Sequence, residues 1–187
     1  MSEKLLILGA SGYMGSAFVR ECEARQIHYT DPSGSGGEKN FDSFRVLLRE
    51  YHPRLVINCA AYVTQPSVDL CKNNMQETIR GNVVFPTLLA AACSQVGVPL
   101  MHLSTGCLFD EAKEYNESDI PTRGWNGYCG AYVGSKLAGE YEVRDYPRHY
   151  ILRLRLPFEP NVGGPGGDAA RRGAADPIQG ERDWRPG

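Results

Sequence analysis

Three stretches of this 187-residue sequence carry residue types and spacings that could do chemistry. In GYCGAYVGSKLAGE, Tyr132 and Lys136 stand four residues apart, so on a helix both side chains point the same way. A lysine ammonium beside a phenol favours the phenolate. It would lower a tyrosine pKa that is normally about 10 and make the hydroxyl a proton donor or acceptor near neutral pH. In KLLILGASGYMGSAFVR, Gly9, Gly12 and Gly15 fall where an apolar run gives way to helical period. Without side chains there, the backbone can turn sharply, approach a pyrophosphate and let the helix pack closely, while N–H groups and the helix dipole meet negative charge. These three glycines are the residues such a ligand would approach. The third stretch, LSTGCLFD, ends an apolar run and supplies the Thr105 hydroxyl and, two residues on, the Cys107 thiol.

Each feature alone has a plainer reading: a solvent-facing Tyr and Lys, a tight turn, a thiol filling space at a strand end. Position separates the readings. The glycine triplet follows an apolar strand and opens an amphipathic helix, which is the context that dinucleotide binding requires. An acidic residue about 20 positions on would accept hydrogen bonds from the adenosine ribose, and Asp31 stands 22 residues after Gly9. No arginine follows it at once, which argues against a 2′-phosphate, yet Arg25 and Lys39 are near. The expected coenzyme is therefore NADPH or NADH, undivided between the two.

The elements that must position these groups can be read from the apolar pattern. Leu5 to Leu8, Arg54 to Asn58, Pro99 to Ser104 and Tyr150 to Leu156 are nearly unbroken apolar runs, as in strands covered on both faces. A short strand is expected near Ile27 to Thr30. Between the strands, Met14, Phe18 and Val19, then Phe44, Leu47 and Leu48, then Leu88, Leu89 and Ala92 each share a helical face. Strand and helix alternating in this way imply right-handed crossovers and an α/β, doubly wound parallel sheet of the Rossmann kind. It should occupy residues 1–160. From Asn161 onward, seven glycines and three prolines in 27 residues leave too few apolar side chains for a core. Residues 161–187 are expected to form an irregular, disordered tail.

Composition excludes some functions. The chain is 42% hydrophobic and 22% charged, with 20 basic and 22 acidic side chains and a net charge of −2. This mixture gives no basic surface for nucleic acid. The apolar runs are short of the ~20 residues needed to span a bilayer, and no signal peptide is read, so the expectation is a cytoplasmic protein with no membrane partner. The six cysteines have no CxxC pair and no neighbouring histidine cluster, so they read as reduced thiols and not as a metal site. His102, inside a strand, is expected to be a hydrogen-bonded core residue. Trp125 and Tyr128, just before Tyr132, would stack on a base or sugar or else anchor a loop. Arg153 and Arg155 share a strand face, where an ion pair is the common fate.

The motifs GASGYMG, NCAA (Asn58 to Ala61), LSTGCLFD and YVGSK together resemble the extended short-chain dehydrogenase/reductase family. Within it they look like the dTDP-4-dehydrorhamnose reductases and the bifunctional 3,5-epimerase/4-reductases of nucleotide sugars. The phrase QPSVDLCKNNMQETIRGNVV from Gln65 is similar to the second group. The resemblance runs from Lys4 to about Phe158. It implies that Gly9, Ser11, Gly12 and Gly15 form the phosphate loop, with Tyr13 and Met14 also at the coenzyme, that Ala60 and Ala61 line the adenosine and pyrophosphate, that Asn82 supports the site, and that Thr105, Tyr132 and Lys136 are the catalytic triad. It further implies an NAD(P)-dependent oxidoreductase acting on a 4-keto-6-deoxy nucleotide sugar in deoxysugar biosynthesis, with a homodimer among the allowed assemblies. Epimerising members carry a cysteine at the position of Cys107 as a proton-transfer group.

Family members continue into a smaller lobe that grips the nucleotide sugar, whereas regular patterning here stops near Phe158. The expectation is a truncated or frameshifted product with the substrate lobe largely missing, which binds the dinucleotide but turns over a keto sugar poorly or not at all. The alternative is a non-catalytic, dinucleotide-binding regulatory subunit resembling the β subunit of methionine adenosyltransferase, or an orphan Rossmann fragment.

Overall fold

The computed structural model describes residues 4–32, 39–111 and 113–155. The chain divides into two units, Met1–Arg153 and Leu154–Gly187. Of the second, only Leu154 and Arg155 are described, so the expected tail at 161–187 lies outside the described residues.

The first unit alternates strand and helix: β1 (Leu5–Leu8), α1 (Tyr13–Ala24), β2 (Tyr29–Thr30), α2 (Phe41–Tyr51), β3 (Leu55–Asn58), α3 (Met75–Ile79), α4 (Phe85–Val96), β4 (Leu100–Thr105), α5 (Gly130–Arg144) and β5 (His149–Leu154). A 3₁₀ segment, Val68–Asn74, leads into α3, and a π-helical turn, Arg80–Val84, joins α3 to α4. The five strands lie in the order β2-β1-β3-β4-β5. Pairing of β1 with β2, β1 with β3 and β3 with β4 is parallel, with Leu6 opposite Val56 and Asn58 opposite His102. The expected doubly wound parallel sheet is present.

Burial explains the unbroken apolar runs. Leu6, Ile7 and Leu8 are successive residues pointing to opposite faces, and all are at most 5% exposed. Both faces of the sheet are therefore covered, and each such side chain contributes about 1.5–3 kcal/mol. On one face Leu6, Leu8, Val56 and Leu100 pack with Phe44, Leu48, Leu89 and Val143 from α2, α4 and α5. The Phe44 and Phe85 rings meet edge to face at 5.2 Å. Helix α2 starts at a reciprocal cap between Asn40 and Ser43, and α4 stops at Gly97 in the left-handed region.

Two strands and the buried face of one helix differ from the sequence expectation. Strand β2 holds only Tyr29–Thr30, because Gln26 takes a positive φ and the Ile27 N–H still donates to the Cys22 carbonyl, a helix-ending bond. Strand β5 ends at Leu154, and Leu156 lies outside the described residues. On α1 the fully buried positions are Gly15 and Cys22, whereas Met14, Phe18 and Val19 are half-buried. The cause is a backbone-to-backbone approach described below. Among the described residues no helix is long and apolar enough to cross a membrane.

Candidate active site

Strands β1, β3 and β4 end side by side, and the candidate residues sit at or just past their carboxyl ends, where ligands bind in open parallel sheets. At the end of β1, Gly9 has φ +77. A Cβ there would lie 2.7 Å from the Ala60 nitrogen, so the turn after β1 is pressed against the turn after β3. A Cβ on Gly15 would lie 2.0 Å from the Gly9 carbonyl oxygen, which brings the first turn of α1 onto the strand end. Gly12 is exposed and caps α1 with backbone alone, no side chain covering the helix start. The three glycines thus divide the work of turning, opening and packing. What results is a cradle that an added Cβ would fill, with the first-turn N–H groups of a 12-residue helix at its rim.

We expect Gly12→Val to abolish dinucleotide binding with a small effect on stability, since a Cβ at Gly12 meets only the Gly9 oxygen, at 3.2 Å. Gly15→Val should instead unfold the protein or lower its denaturation midpoint sharply. Calorimetry with the coenzyme and urea denaturation separate the two outcomes.

The turn after β3 is pinned twice. The Asn58 side-chain oxygen accepts the Ala60 N–H at 3.1 Å, so its amide nitrogen is left to donate to His102 Nδ1 at 3.0 Å. His102 is therefore neutral, with its proton on Nε2, and burial holds its pKa well below 6.5. It is the hydrogen-bonded core histidine expected. Further along, buried Asn82 accepts the Tyr62 N–H at 2.7 Å, donates to the Tyr62 carbonyl at 3.0 Å, and donates to Ser135 Oγ at 3.1 Å. Asn82 lies in the π-helical turn, an insertion frequent at functional sites. One side chain thus ties the turn that begins at Ala60 and exposed Ala61 to helix α5. Asp31 is exposed just after β2, and Arg25 is paired with Glu21.

At the end of β4, Thr105 is 4% exposed and its hydroxyl accepts the Cys107 N–H at 3.2 Å. Cys107 and Tyr132 pack together against Leu108, Phe109, Cys129 and Val133. Thr105, Cys107 and Tyr132 are thereby brought to one place. Lys136, one turn along α5, goes elsewhere: it is 2% exposed, and its ammonium donates to the Leu103 carbonyl at 2.7 Å.

This corrects one expectation. The ammonium is turned inward to a strand carbonyl, and the phenol is not lowered. Burial first, then the neighbouring Cys107, push Tyr132 up to about 12, against the opposing hydrogen bond from Thr105. Burial likewise brings Lys136 down to about 8, a fall that Glu140 opposes.

The sequence does not single out Glu140. Glu140 is fully buried and makes a two-pronged pair with Arg153, at 3.1 and 2.5 Å. Its one signal was its place four residues after Lys136 in KLAGE. Trp125 lies over α5 so closely that a Cβ on Gly134 would be 2.4 Å from its ring, so this ring anchors the loop while staying 48% exposed. With Asp69, Lys72, Met75, Gly127, Gly130 and Ala131 it lines a cleft of about 320 Å³ at the start of α5. Tyr128 is 71% exposed. The six cysteines are free, and among the described residues no group of three or more His, Cys, Asp or Glu is assembled for a metal ion.

The family model of the RmlD substrate binding domain matches residues 3–161. A bifunctional dTDP-4-dehydrorhamnose 3,5-epimerase/dTDP-4-dehydrorhamnose reductase of Arabidopsis thaliana is 30% identical over 173 residues, covering 88% of this chain and 55% of the relative. A dTDP-4-dehydrorhamnose reductase of Mycobacterium tuberculosis is 32% identical over 184 residues, covering 89% of this chain and 53% of the relative. Among solved structures, dTDP-4-dehydrorhamnose reductase from Bacillus anthracis in complex with NADP superposes with a TM-score of 0.75 at 23% identity, over 95% of this chain and 62% of that one. This likeness establishes the fold. The Clostridium acetobutylicum dTDP-4-dehydrorhamnose reductase ortholog gives a TM-score of 0.66 at 32% identity, over 80% of this chain and 52% of that one. The chain spans about half the length of the curated relatives it matches.

Proposed function

Because the chain belongs to the family of the RmlD substrate binding domain, we propose that it is the coenzyme-binding and catalytic portion of an NAD(P)H-dependent oxidoreductase. Its substrate class is a 4-keto-6-deoxy nucleotide sugar such as dTDP-4-dehydrorhamnose. The observation that carries the reading is the glycine cradle after β1 beside a Thr105–Tyr132–Cys107 cluster at the end of β4, both on the carboxyl edge of one parallel sheet. The relatives named as dTDP-4-dehydrorhamnose reductases agree with it.

The chemistry supplied by a bound reduced nicotinamide is hydride donation to the sugar C4. The chain's own residues then have separable tasks. Gly9, Ser11, Gly12, Tyr13, Met14 and Gly15 hold the pyrophosphate, Asp31 takes the adenosine ribose, and Ala60 and Ala61 line the coenzyme from the turn that Asn58 and Asn82 hold in place. Lys136 reaches the nicotinamide ribose hydroxyls from its seat under Leu103. Thr105 hydrogen-bonds the substrate oxygen, and Tyr132 gives that oxygen a proton as charge develops on it. A phenol kept neutral up to about 12 is in the right state for a donor.

Binding of NADPH or NADH by the chain, measured by calorimetry, tests the reading. It is supported when the bound reduced coenzyme is also oxidised on addition of a dTDP-4-keto-6-deoxy sugar. A chain that binds neither dinucleotide overturns it.

Cys107 supplies a second step at the same place. Its sulfur would take a proton from the ring carbon next to the keto group, or return one to the enolate formed there. Cys107→Ser is expected to preserve hydride transfer while abolishing solvent deuterium exchange at that carbon, followed by NMR of the sugar. Equal loss of both would remove the separate role.

A further inference from the structure

Two charged side chains of α5, Lys136 and Glu140, are buried inside the protein, and Glu140 is paired with Arg153. Lys136 is 2% and Glu140 0% exposed. The Arg153 guanidinium, from β5, grips both Glu140 oxygens and lies 5.3 Å above the Phe109 ring. Arg144 adds a longer contact of 3.7 Å. Burying ions costs several kcal/mol each, and a tie between β5 and α5 could be made by apolar side chains at lower cost. The arrangement therefore calls for a reason other than stability. Glu140 stands four residues after Lys136 on one helix, so both side chains lie on the same face, one turn apart.

We propose that Glu140, fixed in place by Arg153, is the counter-ion that keeps the buried Lys136 side chain an ammonium aimed at the Leu103 carbonyl, and so is a positioning residue for the coenzyme site. The proposal rests on the reading that Lys136 serves the coenzyme. The other groups around Lys136 cannot do this work. From the turn after β3, the Cys59 thiol is pushed up to about 12 by burial and carries no charge at neutral pH. From β4, burial keeps His102 neutral. From α5 itself, Tyr132 stays a neutral phenol up to about 12, and Arg144, like Arg153 from β5, is cationic and turned to Glu140. Glu140 is a buried carboxylate on the face of α5 that carries Lys136.

The test is the titration of the Lys136 ε-carbon by NMR in the coenzyme-free chain labelled at lysine, with Lys136→Met to assign the signal. In Glu140→Gln the midpoint should fall by about one pH unit or more, and Glu140→Asp, which keeps the charge, should stay near the wild type. Removing one partner of a buried pair can unfold a protein, so Glu140→Gln/Arg153→Gln is measured beside it and should show a fall in the same direction, smaller because a nearby cation leaves with the anion. An unchanged midpoint in the neutral variants overturns the proposal, as does an equal fall in Glu140→Asp. NADPH affinity as a function of pH is the second readout. In Glu140→Gln its upper limb should move down with the Lys136 midpoint. A wild-type chain that binds neither NADPH nor NADH overturns the coenzyme reading, while the NMR titration still decides the counter-ion.

Discussion

Tyr132→Phe should slow hydride transfer to a 4-keto sugar by about 10²–10⁴-fold, the usual worth of a positioned general acid, and leave coenzyme affinity unchanged. The substitution removes one oxygen from a side chain that packs among Leu108, Phe109, Cys129 and Val133. The ring keeps its place, so the loss falls on the proton and not on the fold. The measure is the ratio of single-turnover rates, variant to wild type, followed by loss of reduced-nicotinamide absorbance, with calorimetry of NADPH as the control. A rate ratio near one would mean that the phenol is a packing residue, and a parallel loss of affinity would mean that it holds the coenzyme.

Burial also sets the pH behaviour of the proposed proton donor. With Tyr132 at about 12 in the free protein, reduction should not be lost through its ionisation between neutral pH and that value. The phenol is a weak acid while the site is empty. Whatever lowers it must arrive with the ligands or with a swing of Lys136 away from Leu103.

The parts of this arrangement that could be read in the sequence are those fixed by local rules. Unbroken apolar runs require strands covered on both faces, and the glycine spacing after β1 requires a turn that approaches both a ligand and a helix. These readings named the sheet, the cradle and the residues at its rim. The hidden parts depend on contacts between distant residues. Nothing local to Lys136 says that its nitrogen meets the Leu103 carbonyl 33 residues away, and so the expectation that it would acidify Tyr132 did not hold. Asn82 came from family resemblance. Its grip on Tyr62 and Ser135 depends on a π-helical turn that leaves no periodic trace. Glu140 carried the weakest signal, because a charged residue on a helix ordinarily faces water, and only the arrival of Arg153 from β5 makes its burial intelligible. The half-buried face of α1 has the opposite lesson: Gly15 contributes contact by what it lacks, which no apolar pattern records.

Lys136→Met should make the protein more stable at pH 7, by about 2 kcal/mol, while destroying its affinity for the dinucleotide. The folded environment brings this lysine from 10.5 down to about 8, and at 1.36 kcal/mol per unit that is about 3 kcal/mol against the charged form. Leaving the Leu103 carbonyl without its donor returns about 1 kcal/mol. The sign follows from which state holds the proton. Between pH 8 and 10.5 the unfolded chain keeps its lysine protonated while the folded chain releases the proton, so raising the pH through that window stabilises the wild type. Below pH 8 both states are charged and the full penalty is present. The advantage of the methionine variant should accordingly be constant below pH 8, shrink as the pH rises to 10.5, and turn into a deficit of about 1 kcal/mol above it, where only the lost bond to Leu103 remains. Urea denaturation of both proteins at pH 7 and at pH 10.5 measures the difference, in which the titrations of all other groups cancel. A variant less stable than the wild type at pH 7 would mean that the ammonium's bonds inside the fold outweigh its desolvation. A buried lysine that weakens the fold has to be explained by what it binds, and in this chain it lies on the helix that also carries Tyr132.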